Sequence, residues 1–318
     1  MRRILVGTFA LAALAMPARA QNCAADGVTE NACVTARDLF LYMAPQLGTS
    51  LTGGSHTLGI GTNLGGFPHF AIALRANAMF GDRPKLTDVT AGPAAPQSIE
   101  TEEQPIGLPT VDFALGLTKG FSLGVTRIGG IDLIGGATYI PELKLGANGS
   151  ITPQGGSLAI GLGARVGLLQ QSAFIPGVSF SYLSRNLPTI DFAMASDAGD
   201  QFNINDFSVK TTSWRLSAQK NLLLFQLGAG FGGDTYESST VANGTVIHPL
   251  GTSSFAFSAD QKMTRTTMYG SLGINLVLAK IVAEVGQASG GKAVTYNDYS
   301  QPADKTRMYG TVGIRISF

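Results

Sequence analysis

Three histidines, His56, His69 and His248, are the only imidazoles in the 318 residues, and none stands at a spacing that chemistry uses. A zinc protease pair needs two histidines one helical turn apart with a glutamate between them, and no H-E-x-x-H occurs. Acyl transfer needs a serine and a carboxylate brought to a histidine, and no short nucleophile signature is present. All three histidines read as turn or loop residues; no catalytic residue, metal ligand or cofactor is expected. One segment imitates a cofactor site. Gly228-Ala-Gly230-Phe-Gly232-Gly233 fits G-x-G-x-x-G after the apolar run 222–227. A dinucleotide site needs a helix directly after that turn, whereas Asp234-Thr-Tyr-Glu-Ser-Ser-Thr leads into polar sequence, so the glycines read as a strand end. Cys23 and Cys33, ten apart, complete the inventory. In an exported chain that pair reads as a small disulfide loop, stabilising by up to about 3 kcal/mol on the chain-entropy model.

Export itself is read from the first residues. Arg2 and Arg3 precede an apolar run from Ile4 to Met16, and Ala18-Arg19-Ala20 supplies the small residues a signal peptidase recognises. A signal peptide over 1–20 is the expectation; the run is shorter than the roughly 20 residues a spanning helix needs. Removing those 20 of 318 residues, with Arg2, Arg3 and Arg19 among the 22 basic ones, leaves 298 residues carrying 19 basic against 21 acidic. That balance is no nucleic-acid footprint. Composition is unusual for a soluble domain, with 44% hydrophobic residues, 14% charged and 41 glycines.

The elements that would carry such residues follow from the spacing of the apolar ones. From His69 to Phe80, Phe70, Ile72, Leu74, Ala76, Ala78 and Phe80 share one parity, with His69, Arg75 and Asn77 on the other. The alternation returns over 157–169, where Leu158, Ile160, Leu162 and Val166 oppose Gly161, Gly163, Arg165 and Gly167, and around Trp214 and Leu216, which oppose Ser213, Arg215 and Ser217. Period two means strands with one apolar face. Such strands build either a soluble sandwich or a membrane barrel. Strand length favours the barrel: Phe70 and Phe80 lie about 33 Å apart at roughly 3.3 Å per residue, or about 25 Å along the membrane normal after a tilt near 40°. Glycine also collects on the face opposite the aliphatics, as at Gly116, Gly124, Gly273 and Gly313.

The chain ends Thr311-Val312-Gly313-Ile314-Arg315-Ile316-Ser317-Phe318. This resembles the assembly signal of Gram-negative outer-membrane barrels, carried by Thr311, Gly313, Ile316 and the terminal Phe318, and an internal copy spans 271–278. The resemblance implies an outer-membrane location and recognition by the barrel assembly machinery. Tyr42 and Ala44-Pro45-Gln46-Leu47-Gly48, with the glycine-rich sequence up to Pro68-His69, are also similar to an uncharacterised glycine-rich family of outer-membrane barrels, which implies location and no chemistry.

The expected fold is therefore all-β, a transmembrane antiparallel up-and-down barrel. Strands are placed at 39–47, 57–64, 69–80, 111–118, 120–127, 139–148, 157–169, 174–184, 189–196, 207–219, 221–232, 264–278, 280–290 and 305–318, about 14. If residues 37–51 instead form a helix entering the lumen, with Leu39, Met43 and Leu47 on one stripe, about 12 remain. Tight turns are expected at 119–120, 220–221 and 279–280, and long polar loops over 81–110, 233–262 and 286–304. Residues 21–52 are then a periplasmic or plug segment and 53–318 the barrel. Charge facing lipid costs about 2 to 4 kcal/mol per residue, which puts Arg75, Asp112, Arg165, Arg215, Lys280, Glu284, Arg307 and Arg315 on the lumen side. They either pair across the lumen and hold a plug or line a watery path that favours anions. Three functions fit: a passive channel or uptake protein for small solutes, a plugged barrel for hydrophobic compounds resembling fatty-acid transporters, and a structural or adhesive surface barrel. Lipid of the outer membrane is the expected surrounding, and oligomeric state stays open.

Overall fold

The computed structural model describes residues 23, 25–85, 91–144, 149–195 and 200–318. The expected signal peptide at 1–20 lies outside them. Ten strands form the wall: β1 (Phe70–Pro84), β2 (Thr101–Thr118), β3 (Gly130–Tyr139), β4 (Leu158–Leu169), β5 (Gly177–Asn186), β6 (Gln201–Leu222), β7 (Phe225–His248), β8 (Gly251–Asn275), β9 (Lys280–Ser289) and β10 (Arg307–Ser317). Each pairs antiparallel with its neighbour in sequence. β1 also pairs with β10, from Ala71 opposite Ser317 to Met79 opposite Tyr309, which closes the circuit. Phe70 and Phe318 exchange backbone hydrogen bonds at 3.0 and 2.9 Å, and their rings stack 5.0 Å apart at what we call the near rim. Three short strands, Leu143–Lys144, Gly149–Pro153 and Ile190–Ala195, extend the sheet beside the upper part of β6.

Closure leaves the ten-strand wall without an open edge, which hydrocarbon demands because unpaired backbone groups there cost several kcal/mol each. The outward faces are apolar where the alternation runs cleanly. On β1, Ile72, Leu74 and Phe80 are exposed while Ala71, Ala73, Arg75, Asn77 and Met79 between them are buried. The same holds for Val312, Ile314 and Ile316 against Thr311 and Arg315 on β10. This is the expected transmembrane barrel. Among the described residues no helix is long and apolar enough to cross a membrane.

Two of the fourteen expected strand segments are not strands. Residues 39–47 belong to helix α1 (Glu30–Thr52), and residues 57–64 follow it as irregular chain. The branch with a lumen helix is the one taken, and twelve of the expected segments overlap strands. One of those, 120–127, is a small separate hairpin of Phe121–Leu123 with Thr126–Ile128. The 233–262 stretch is no loop. β7 and β8 pair without interruption from Phe225 opposite Ile274 to His248 opposite Gly251. The physical reason is an inversion along the strands. In lower β8, Met268, Leu272 and Ile274 point out, whereas in upper β8 Phe255, Phe257 and Ala259 point in and Ser254, Ser258 and Asp260 point out. Above the membrane the outside is water, so the polar parity faces out there and reads as loop. The loops at 81–110 and 286–304 are shorter than expected for the same reason, with β1 running to Pro84, β2 beginning at Thr101 and β9 ending at Ser289. Residues 139–148 differ too: the wall strand β3 lies at 130–139, ahead of the expected span.

Helix α1 lies inside the ring. Its start is at the far rim, where Asn31 donates to the carbonyl of Gly92 at 3.1 Å, and the disulfide between Cys23 and Cys33 closes the segment before it. Its upper part packs in the inverted zone, Phe40 edge-on to Phe207 at 5.8 Å, in a cluster with Leu187, Ile190, Val209, Phe255 and Phe257. Pro45 sits within the helix and has no N–H for the carbonyl of Leu41; Gln261 of β8 donates to that carbonyl instead, at 3.0 Å. Gly48 is required by close approach, since a Cβ there would fall 2.5 Å from Cγ of Tyr236. From Gly53 the chain descends to Gly66 at the near rim and enters β1.

Candidate functional site

The centre of the barrel is built where α1 ends. A helix leaves its last four carbonyls without intrahelical donors, and buried they must find others. Here each one does. The carbonyl of Thr49 accepts from the Gly53 amide at 2.8 Å and that of Ser50 from Asn77 of β1. Arg185 of β5 donates to Leu51 at 2.9 Å and Arg215 of β6 to Thr52 at 2.8 Å. Below the helix the pattern continues. Arg165 of β4 donates to His56 at 3.0 Å, and Arg315 of β10 to Leu58 at 2.5 Å. Arg75 of β1 reaches the carbonyl of Gly53 at 3.5 Å. Five arginines from five strands thus ring the carbonyl-rich descent of the chain over 51–58. The negative end of the helix dipole points into this ring.

Carboxylates from the wall fix the guanidinium groups. Asp112 lies 2.7 Å from Arg75 and 3.7 Å from Arg185, Asp132 lies 2.9 Å from Arg165, and Glu284 lies 3.1 Å from Arg215. The Tyr269 ring supports Arg215 from below, its centroid 4.8 Å from the guanidinium carbon. Asp234 accepts from Thr52 Oγ1 at 3.1 Å. These carboxylates and arginines are all buried to 5% exposure or less. Such pairs gain net stability only where geometry is good and further hydrogen bonds use the remaining donors. The backbone of the inserted segment supplies a part of those acceptors: each of the five arginines donates to it, while Nε of Arg185, Arg215 and Arg315 has no hydrogen-bond partner.

Of the residues expected in the lumen, Arg75, Asp112, Arg165, Arg215, Glu284 and Arg315 meet around the plug. Lys280 lies lower, donating to Asn221 Oδ1 at 3.0 Å and Gln226 Oε1 at 2.5 Å. Arg307 is separate, at the far rim, where it and Lys305 (3.7 Å) share Asp82. Arg265 nearby donates to the carbonyls of Ala303 and Lys305 at 3.1 and 3.0 Å, tying down the loop above β9. Sequence reasoning missed Asp82, Asp132, Arg185, Asp234 and Arg265. Arg185 had a signal, for Ser179, Ser181 and Leu183 share its buried parity. Asp82 fell in a stretch taken as loop, and Asp132 in one that no expected strand covered.

The loop histidines divide. His69 bonds the carbonyl of Gly66 at 2.8 Å in a near-rim turn, and His248 stands beside the β7–β8 turn. His56 is instead buried in the lumen, its Nδ1 2.8 Å from Ser181 Oγ and its Nε2 2.6 Å from Ser213 Oγ. That corrects its reading as a loop residue. It also tests an acyl-transfer site. Both ring nitrogens are occupied by hydroxyls, so no carboxylate orients the ring as that chemistry requires, and the cavity beside it measures about 20 Å³. The residues Ser55, His56 and Thr57 all have positive φ (64°, 145° and 72°), a costly backbone for side chains of this kind. Ser55 Oγ donates to Asp112 at 2.6 Å, so the ring of ion pairs holds this bend. Gly228 to Gly233 lie within strand β7, with no helix after them. Among the described residues no cluster of three or more His, Cys, Asp or Glu could hold a metal ion.

No family model matches this chain, and no curated protein sequence matches it. Among solved structures the chain is similar to the outer membrane protease OmpT from Escherichia coli, at 12% identity over 79% of this chain and 96% of that one, TM-score 0.35. It is also similar to the transport unit of the autotransporter AIDA-I from Escherichia coli (8%, 89% and 99%, TM-score 0.39). The translocator domain of the autotransporter NalP from Neisseria meningitidis is a third (11%, 87% and 95%, TM-score 0.35). At such identities and scores no activity carries over from any of them.

Proposed function

We propose that this chain is an outer-membrane barrel for the uptake of hydrophobic compounds, closed at rest by its own N-terminal segment. One observation carries the reading: α1 and the descent to Gly66 occupy the lumen, and α1 lies in an interior lined by Leu187, Ile190, Phe207, Val209, Phe255 and Phe257. A diffusion pore for small polar solutes has no use for an apolar, aromatic upper lumen. A hydrophobic compound does, because it gains the contacts that α1 now makes. On this reading the chain reaches the membrane by export under its signal peptide and by recognition of its C-terminal residues. We assign it no catalytic step.

Planar-bilayer recording separates the readings. The full chain should show no stepwise conductance at rest, and Arg185→Ala with Arg215→Ala, which free the end of α1, should give intermittent openings. Proteoliposomes of the full chain should accumulate a neutral hydrophobic probe faster than empty vesicles. Steady large openings of the unaltered chain would instead identify a passive channel, and no accelerated uptake would leave the structural barrel.

A further inference from the structure

The near rim of the barrel is apolar at its tips. Four turns meet there: 119–129 between β2 and β3, which holds the small hairpin, 170–176 between β4 and β5, 223–224 between β6 and β7, and 276–279 between β8 and β9. Leu223 is 100% exposed, Val277 99% and Phe174 93%. Apolar tips in water fold back on one another; these are held out. The Gln170 amide donates to the carbonyl of Arg127 at 2.8 Å, the Asn221 amide to Gln171 Oε1 at 2.9 Å, and Lys280 Nζ to Asn221 Oδ1 at 3.0 Å. Asn275 closes the series, its amide on the carbonyl of Leu224 at 2.8 Å and its side chain on that of Leu223 at 3.1 Å. One chain of hydrogen bonds thus ties the four turns with their apolar ends outward.

The length of the wall gives those ends a place. On β8 the outward positions are polar down to Thr266 and apolar from Met268 through Leu272 to Ile274. That is about 20 Å of strand at roughly 3.3 Å per residue, or about 15 Å along the membrane normal at a tilt near 40°, against a lipid-facing band of about 25 Å. Counting on to the tip at Val277 brings the span to about 23 Å. On this side the turn completes the band.

Every charge in these turns has one sign. Over 116–130, 167–177, 219–227 and 274–281 the charged residues are Lys119, Arg127, Lys220 and Lys280, with no carboxylate. The acids that flank them in sequence, Asp112, Asp132, Asp234 and Glu284, are buried and engaged in the lumen. Lys220 shares the outward parity of Trp214 and Leu216, and its Nζ reaches the carbonyls of Ser172 at 2.9 Å and Ala173 at 2.7 Å, beside Phe174. A cationic head carried along apolar surface is the posture of a basic residue at a membrane boundary.

We infer that the near rim docks anionic phospholipid of the leaflet on that side: the tips at Phe174, Leu223 and Val277 enter its acyl region, and Lys119, Arg127 and Lys220 hold the phosphates of its head groups. Continuity with the lipid-facing wall and charge of a single sign together select this occupant. A soluble protein partner fits the charge and not the missing length of the band. The inference stands apart from the uptake reading.

The test uses the full chain in phosphatidylcholine vesicles with spin-labelled phosphatidylglycerol or spin-labelled phosphatidylcholine, and reads the fraction of label immobilised on the protein. Phosphatidylglycerol should be favoured about threefold at low salt, and less as salt rises. Lys119→Gln with Arg127→Gln should bring the ratio close to one, whereas Lys210→Gln with Lys262→Gln, above the membrane, should leave it unchanged. Depth is read with Val277→Trp in a Trp214→Phe background: lipid brominated on its acyl chains should quench the fluorescence, and aqueous iodide should not. A ratio of one in the unaltered chain would overturn the head-group site. A tip quenched by iodide alone would overturn insertion and point to a soluble partner. Should the paired substitutions fail to fold, the ratio on the unaltered chain and its salt dependence decide.

Discussion

Arg215 touches three things at once: the carbonyl of Thr52, the carboxylate of Glu284 and the ring of Tyr269. Its removal therefore leaves a helix end unsatisfied and an acid buried alone. Breaking one member of a buried pair costs about 3 to 5 kcal/mol, whereas replacing both members is far milder. Arg215→Ala should accordingly lower stability by about 3 to 5 kcal/mol, and the further change Glu284→Gln should restore a part of it. Urea unfolding of the detergent-solubilised variants, read as a double-mutant cycle, measures the coupling; simple additivity would mean that the two side chains act independently. At this scale the sequence was legible where parity was clean. Arg75, Arg165, Arg215 and Arg315 lie between apolar neighbours that must meet lipid, so their direction follows from cost alone. What they hold was not legible, because their acceptors are backbone carbonyls, which every residue carries.

At the scale of elements, the strands obey one rule under two solvents. Parity of burial is constant along β8, while the chemistry assigned to each parity reverses as the strand leaves hydrocarbon. Period two is therefore a reliable sign of strand, yet an apolar outer face marks only the length that meets lipid. The upper halves of β7 and β8 were taken as loop on that account. A substitution pair distinguishes the two zones. Phe257→Ala, in the cluster against α1, should cost about 3 to 5 kcal/mol, and Ser258→Ala, its outward neighbour, should stay within about 0.5 kcal/mol. The thermal midpoint of each variant in the same detergent checks this; similar losses would contradict the inversion. Helix α1 was harder to read for a different reason. It carries Pro45, Gly48 and several threonines, and it is stabilised by side chains of the wall, as Gln261 does at Leu41, more than by its own propensity.

The whole molecule is a closed wall with an inserted core, and the wall decides whether it enters a membrane. Ile314 is 51% exposed and Arg315 only 5%, one residue apart on β10. Ile314→Arg puts a charge on the lipid face at about 2 to 4 kcal/mol and should prevent recovery of the folded, heat-modifiable form from membranes. Arg315→Ala should insert normally and loosen the descent at Leu58, visible as conductance. Equal behaviour of the two variants on unboiled gels would refute the facing of β10.

The order of the chain adds a constraint on how such a molecule comes to exist. Helix α1, a cylinder some 10–12 Å across, leads directly into β1, and β1 is one side of the junction with β10. Once that junction is made, α1 is enclosed by the wall and held at the far rim by Gly92 and Asn297 of the loops there. A rod hydrogen-bonded sideways to six staves has no lengthwise entry into a finished cylinder. That order favours a sheet that curls around its leading segment, with that segment as the former on which the staves are gathered and the join of first stave to last made around the rod.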